Sequence, residues 1–406
     1  MAARASRWRP LLTGNRRNRR RICIVVSDFM TVSAFLQDQI RALCRTYEVT
    51  IVANTDDRGS LRRLNLDAEL VPVAISRDID LRRDVLALLD LYLLFRKRKF
   101  NLVHSITPKA GLLSMTAGKL AGIPVRIHTF TGQVWAARSG ATRYLLKRAD
   151  KVTVFCATRV LTDSQSQLQF LIAEGVVGVG QCRVLANGSL CGVDPCRFRP
   201  NAAARLRVRD ECSIPEDASV FLFVGRLKKD KGVLDLARAF AQVARQRRNA
   251  YLLWAGPDED RMEGEIRSLC SSCAERVRFT GRTRFPEQYM AAADIICLPS
   301  YREGFGNVVI EAAAAGIPAI ASRIYGLTDA VEDGATGCLH QAGNWEELAQ
   351  AMESLAANDS LRLQLGLQAR ARASRDFAQQ SLTEAWLAFY VEQLAAEAAS
   401  AAALPV

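Results

Sequence analysis

Two acids and two cations carry the chemistry that this sequence offers most plainly. Glu303 and Glu311 have seven residues between them, and the stretch from Tyr301 to Asn307 reads Tyr-Arg-Glu-Gly-Phe-Gly-Asn. An apolar run at 294–300 precedes it, a helix-forming run at 307–315 follows, and Gly316-Ile-Pro ends the unit, so the spacing predicts strand, glycine loop, helix. Gly304 and Gly306 remove side chains where backbone must approach a ligand, and the free N–H groups of a helix starting at Asn307 suit an anion, a phosphate above all. Glu303 then sits on the loop beside that phosphate and Glu311 about one turn into the helix, so the two acids reach opposite ends of one nucleotide-linked ligand. The second pair is Arg226 and Lys231, which flank the turn after an apolar run at 219–224. Two cations and helix N–H groups converging at a strand end make a diphosphate site, with Arg gripping two oxygens and Lys acting as a point charge. A solvated charge run accounts for Lys228 and Lys229, but less well for this pair. No acid cluster of metal-binding spacing stands beside the cations, so no metal or other cofactor is expected.

The elements that must position these groups alternate along the whole chain. Short apolar runs at 21–27, 48–53, 70–75, 102–105 and 125–129 alternate with helical spacing at 33–44, 81–97 and 110–121, the pattern of a parallel-sheet α/β domain with ligands at the carboxyl ends of its strands. Further strands are expected at 151–155 and 182–186, a polar irregular linker at 195–209, and a second α/β series from 219. His128 follows a strand and lies near the carboxyl edge of its sheet, where a lone histidine is also compatible with a structural role. Pro108 and Lys109 open a helix, and a cation in a first helical turn opposes the helix dipole, so a bound anion is expected there.

The glutamate pair with Gly-Phe-Gly-Asn between resembles that of retaining glycosyltransferases of family 4. That resemblance implies a GT-B fold: two Rossmann-like α/β domains with parallel sheets facing a central cleft, and a C-terminal helix crossing back onto the first domain. It implies that Glu303 contacts hydroxyls of the donor sugar, that Glu311 holds the ribose hydroxyls, and that the amides of Gly304, Phe305, Gly306 and Asn307 bind sugar and phosphate. Arg226 and Lys231 match the family's Arg and Lys on the donor diphosphate, and His128 its histidine facing donor sugar and acceptor hydroxyl. The stretch from His104 through Thr129-Phe-Thr-Gly-Gln-Val-Trp135 to Leu161-Thr-Asp-Ser-Gln-Ser-Gln167 resembles a subgroup that builds capsule, O-antigen and protein-glycan precursors on a polyprenyl-diphosphate lipid. His104 and Lys109 are then the acceptor-binding candidates. The loop after the first strand, Asp28 to Ser33, lacks the family's Gly-Gly.

The resemblance implies a domain plan of a basic tail at 1–20, an acceptor domain at 21–200, a nucleotide-sugar domain at 201–376 and a crossover helix at 377–398. The expected activity is metal-independent, retaining transfer of a sugar, an N-acetylated hexose or deoxyhexose, from a UDP-sugar to a polyprenyl-diphosphate-linked acceptor. Same-fold rivals are transfer to a soluble acceptor, sugar-nucleotide epimerisation, and silent binding of a sugar nucleotide.

Composition bounds the alternatives. With 406 residues, 49% hydrophobic and 24% charged, the chain has room for two globular domains. Eleven cysteines, an odd number without a paired metal-ligand pattern, indicate reduced thiols and a cytoplasmic setting. The net charge is +13, and Met1 to Ser27 holds eight arginines and no acid. That tail, with the Arg96 to Lys99 cluster, is expected to rest peripherally on the anionic cytoplasmic face of the inner membrane, or to have no role. A role as an organellar transit peptide is a further alternative. A nucleic-acid-binding protein is the rival of another class. Its support is the tail alone, without an aromatic RNA motif or zinc finger, so no nucleic acid is expected as partner.

Overall fold

The computed structural model describes residues 19–57, 59–76 and 80–402. Most of the arginine-rich tail falls outside them. Two compact units emerge. The first comprises the described residues up to Asp163, Leu168–Ala186 and the final helix from Ser381; the second comprises Ser164–Gln167 and Asn187–Gln380. The division thus falls at 186–187 rather than at 200, and the return to the first unit at 380–381.

The first unit is a seven-stranded sheet of order β3-β2-β1-β4-β5-β6-β7. Its strands are β1 (Arg21–Val26), β2 (Glu48–Ala53), β3 (Glu69–Pro72), β4 (Leu102–Ile106), β5 (Val125–Phe130), β6 (Arg159–Thr162) and β7 (Cys182–Val184). All neighbours pair in parallel. A parallel sheet is covered on both faces, which is why β1, Arg-Ile-Cys-Ile-Val-Val, is apolar almost throughout and buried from its second residue onward. The second unit has six strands in the order β10-β9-β8-β11-β12-β13: β8 (Ser219–Val224), β9 (Ala250–Ala255), β10 (Val277–Gly281), β11 (Ile295–Leu298), β12 (Ala319–Ser322) and β13 (Gly337–His340). These are the two Rossmann-like parallel sheets of the GT-B fold.

Two expected segments changed type. Residues 151–155 are not a strand but the last turns of the Gly140–Cys156 helix. Asp150, Thr153 and Cys156 are its buried positions, three residues apart, and the Trp135 indole N–H donates to Asp150 at 2.6 Å. Helical burial and that anchor outweigh the β-branched character of Val152, Thr153 and Val154. The strand forms instead at Arg159–Thr162. The expected linker at 195–209 contains most of a second helix, Ala202–Glu211, capped by Asn201.

That helix delivers a buried charge. Arg209 is 1% exposed; its guanidinium donates to the Ala292, Pro215, Glu216 and Ala218 carbonyls and to Asp294 Oδ2 at 2.8 Å. Asp294 Oδ2 also accepts from the Val220 amide at 2.7 Å, and Oδ1 from Arg205. One carboxylate therefore ties the helix to the start of β8 and to the residue preceding β11, the two strands that carry the candidate site.

His104 belongs to the core of the first unit. It is fully buried, with Nδ1 2.5 Å from the Tyr390 hydroxyl, Nε2 2.7 Å from the Thr129 hydroxyl, and its ring 4.8 Å from that of Trp386. Tyr390 and Trp386 lie on the Gln379–Ala402 helix, so this histidine clasps the returning C-terminal helix to β4 and β5. The acceptor-binding role expected of His104 is corrected accordingly: both ring nitrogens are already engaged.

Replacing Arg209 with alanine leaves Asp294 without its buried partner while Arg205 remains. The loss expected is about 3 kcal/mol, the lower end for a broken buried pair, read as a lower urea midpoint; an unchanged midpoint would deny Arg209 its structural role.

Candidate functional site

In the second sheet β8 lies between β9 and β11: the chain leaves β8 for a neighbour on one side and later returns to it on the other. The carboxyl ends at such a reversal splay their loops apart and leave a crevice, the general ligand position of open α/β sheets. Arg226 and Lys231 stand on the loop after β8, and Ser300 to Gly306 form the loop after β11. The two loops touch. Gly232 has φ of +67°, and a Cβ there would lie 2.0 Å from the Pro299 carbonyl oxygen, so only glycine allows the approach.

Contacts across this seam set the charges. Lys231 Nζ donates to Glu303 Oε1 at 2.6 Å, and the Ser300 hydroxyl donates to the same oxygen at 2.8 Å. Arg226 pairs with Glu259 at 3.1 Å, with Lys228 beside it at 3.3 Å. Asp230 pairs with Arg302 at 3.0 Å, and its carbonyl accepts from the Tyr301 amide. Burial works to raise the Asp230 carboxyl, but Arg302, Lys231 and Arg226 outweigh it and hold it below its ordinary value. Glu259 is lowered in the same way: desolvation acts upward, while Arg226 and Lys228 act downward more strongly. These are the marks of a concentrated positive field. Among the described residues no group of three or more His, Cys, Asp or Glu is placed to hold a metal.

The Asn307–Ala314 helix begins where the spacing predicts, with Gly306 at its N-cap and φ of +80°. No side chain caps it, and since the Val309 amide already donates to the Gly306 carbonyl at 2.9 Å, the amides before it are the ones a ligand can reach. A Cβ on Gly306 would meet Leu327 at 2.4 Å. The Phe305 side chain is buried, its ring 5.1 Å from that of Phe377; it anchors the loop, and what Phe305 can offer a ligand is its backbone. The Asn307 side-chain oxygen accepts from the Ser189 hydroxyl at 2.6 Å, and the Gly304 carbonyl from the Ser164 hydroxyl at 3.0 Å. Glu311 is partly buried one turn on. Burial pushes its carboxyl up to about 7, against the pull of Arg197.

Several residues that position this loop were not singled out from sequence. The Tyr301 hydroxyl donates to Asp235 at 2.6 Å. Ser166, through its hydroxyl and amide, bonds Asp329, and the Gly326 amide donates to the Ser166 hydroxyl at 2.7 Å. The Leu161–Gln167 run carries the family resemblance in sequence, yet only folding shows that Ser164 braces the glycine loop at Gly304 and that Ser166 holds Asp329 and Gly326. Asp235 and Asp329 lie in ordinary helical sequence and gave no signal.

In the first unit, His128 is fully buried on β5 beside Ser105 of β4, whose hydroxyl is 2.9 Å from Nδ1. Its Nε2 has no protein partner among the described residues. The ring packs on Gly111, where a Cβ would come within 2.3 Å of it. Burial lowers its pKa to about 3, so the imidazole is neutral. Lys109 departs from expectation. Its Nζ pairs with Asp84 at 2.8 Å and both groups are largely buried, so the anion that balances a cation in this helical turn is a carboxylate of the chain itself. The loop without Gly-Gly is closed by side chains: the Ser27 hydroxyl lies 2.7 Å from that of Thr107, and Asp28 caps the Met30 amide.

Comparison with known proteins places both units. Residues 31–188 match the model of the glycosyl transferase 4-like domain, and residues 205–372 that of glycosyl transferases group 1. The capsular polysaccharide biosynthesis glycosyltransferase CapM of Staphylococcus aureus is 29% identical over 350 residues, 86% of this chain and 91% of that protein. The UDP-Gal:alpha-D-GlcNAc-diphosphoundecaprenol alpha-1,3-galactosyltransferase of Escherichia coli is 24% identical over 282 residues, 68% of this chain and 72% of that one. The crystal structure of HepE from Anabaena with UDP and glucose superposes with a TM-score of 0.76, covering 92% of this chain and 99% of HepE at 18% identity, a likeness of fold. With one glycosyltransferase model on each unit and the switch-point site in the second, the chain is a glycosyltransferase of the GT-B fold.

Proposed function

We propose that this enzyme moves a sugar from a UDP-linked donor to a hydroxyl of a polyprenyl-diphosphate-linked sugar, with retention at the anomeric carbon and without a metal. The observation that carries the donor half is the Lys231–Glu303 contact between the loops after β8 and β11, with Arg226 on the first of these loops and the uncapped start of the Asn307–Ala314 helix directly following the second. A diphosphate leaving group needs fixed positive charge where its own negative charge grows, and groups preorganised by neighbours supply it without reorganisation, an effect of several kcal/mol. Glu303, fixed by Lys231 and Ser300, accepts from donor-sugar hydroxyls. Glu311 accepts from the ribose. The acceptor proton leaves on the departing phosphate oxygen, since neutral His128 gains a proton only with difficulty and serves as a hydrogen-bonding group through Nε2.

The UDP donor is supported by the E. coli relative's name and by the UDP in HepE, and the lipid-linked acceptor by that relative and by the capsular role in the name CapM. With His104 in the core and Lys109 paired to Asp84, the acceptor half rests on these likenesses. The decisive assay offers UDP-sugars to a synthetic polyprenyl-diphosphate-sugar and to the same sugar on a neutral alkyl chain, with the anomeric configuration of product followed by NMR. An α product from an α-linked donor, formed faster on the diphosphate acceptor, supports the reading; inversion, or equal rates on both acceptors, rejects the corresponding part.

Arg226→Ala and Lys231→Ala are each expected to lower turnover by on the order of 100-fold, the usual cost of losing a charge-assisted contact to a developing charge. EDTA should leave activity unchanged. Near-normal turnover in both variants would remove the diphosphate assignment, and a strict requirement for Mg2+ or Mn2+ the metal-free one.

The raised carboxyl of Glu311 makes a pH prediction. Its folded-state value of about 7 lies above the ordinary 4.5, so its protonated form favours folding, and that contribution fades as pH rises through 7. Ribose hydroxyls need the carboxylate as acceptor. The KM for donor should therefore fall as pH rises from about 6 to about 8 in the parent and stay level in Glu311→Gln. A pH dependence shared by both proteins would assign it to another group.

A further inference from the structure

We propose that the outer face of the helix layer on the first sheet, carried by the Leu81–Arg98 and Gly140–Cys156 helices, docks the enzyme on an anionic lipid bilayer by inserting apolar side chains. A surface helix ordinarily turns one apolar stripe to the core and a polar face to water. The Leu81–Arg98 helix has two apolar faces. Ala87, Leu91 and Phe95 are buried against the sheet, whereas Leu81, Val85, Leu86, Leu89 and Leu93 are between 49% and 78% exposed. Four of these five recur every four residues, which aligns them on one side of the helix. Single exposed leucines are normal; an aligned set of five on one helix is a patch that calls for a partner.

The neighbouring helices extend it. The connections from β3 to β4, β4 to β5 and β5 to β6 all step the same way across the sheet, and right-handed crossovers put their helices on one face. The Pro108–Leu120 helix packs between the other two. On the Gly140–Cys156 helix, Tyr144, Leu145, Val152 and Phe155 are 44% to 73% exposed, again at helical spacing. Leu120 is exposed at the end of the middle helix, and Lys119 Nζ lies 3.3 Å over the Phe155 ring.

Charge selects the occupant. Arg82, Arg96 and Lys97 are exposed around the first stripe against one exposed acid of that helix, Asp90, and Arg148 and Lys151 are interleaved with the second; Asp84 is paired with Lys109. A second copy of the chain would set these cations against their equals. An anionic bilayer offers headgroups to the cations and acyl chains to the leucines at once, the pairing that interfacial helices use. No described helix is long and apolar enough to cross the membrane, so contact stays at the interface. This differs from adhesion by the basic clusters alone, since buried apolar area is not screened by salt.

The test is flotation of the full chain with vesicles of phosphatidylcholine alone or mixed with phosphatidylglycerol, at low salt and in about 0.5 M NaCl. No sugar donor is present, so the result is independent of the proposed reaction. Leu86→Glu/Leu93→Glu and Leu145→Glu/Phe155→Glu should each reduce binding to the mixed vesicles by about tenfold or more. The control Leu363→Glu/Leu367→Glu, at two exposed leucines of the second unit, should bind like the parent, and part of the parent's binding should survive high salt. Thermal melting by circular dichroism verifies folding; should a Glu variant melt early, the matching Gln variant takes its place. Parental binding by both double variants, complete release of the parent by salt, or no binding of the parent to mixed vesicles overturns the proposal. So does a parent dimer in size-exclusion chromatography that both double variants convert to monomer without any change in vesicle binding, which would assign the face to self-association.

Discussion

The second unit depends on one close backbone approach. The turn after β8 presses against the end of β11 so tightly that Gly232 has no room for a side chain beside the Pro299 carbonyl. That contact brings Lys231 to Glu303 and Tyr301 to Asp230 and Asp235. A side chain at Gly232 would force the loops apart and separate Lys231 from Glu303. The Asp294 carboxylate, bonded to Arg205, Arg209 and the Val220 amide, sets the two strands in position from their opposite ends.

Around this seam three cations already have a carboxylate: Arg226 has Glu259, Lys231 has Glu303 and Arg302 has Asp230. Such pairing holds long side chains in one rotamer, which reduces the ordering cost when an anion arrives. It also means that a ligand competes with the chain's own acids. Helix amides at Asn307 are not subject to that competition, because no side chain caps them.

Two histidines on neighbouring strands show how burial and partners divide roles. His104 and His128 are both fully buried, and desolvation lowers each to about 3, with a further contribution to His104 from His128. Both are neutral at working pH. His104 spends its two nitrogens on Tyr390 and Thr129 and so becomes a clasp for the C-terminal helix. His128 uses one on Ser105 and keeps Nε2 without a partner among the described residues. A buried polar atom left unbonded costs free energy, which sets His128 apart from its neighbour.

Local signals determined much of this protein. Apolar strand runs, the Gly304 and Gly306 loop, the helix start at Asn307 and the cations after β8 depend on neighbours a few residues away, and they stand where periodicity and glycine placement put them. What failed in sequence was decided by partners distant along the chain. Residues 151–155 look like a strand until Asp150 meets Trp135, and 195–209 look like a linker until Arg209 finds Asp294. Lys109 invites an anion until Asp84, twenty-five residues earlier, supplies one. His104 resembles a surface ligand until Tyr390, 286 residues later, closes over it. The exposed leucines at 85–93 carry the same lesson, since alternation in sequence shows that a helix is apolar but not that it is apolar on two sides. Burial and charge pairing are sums over the folded neighbourhood, and only tertiary structure fixes that neighbourhood.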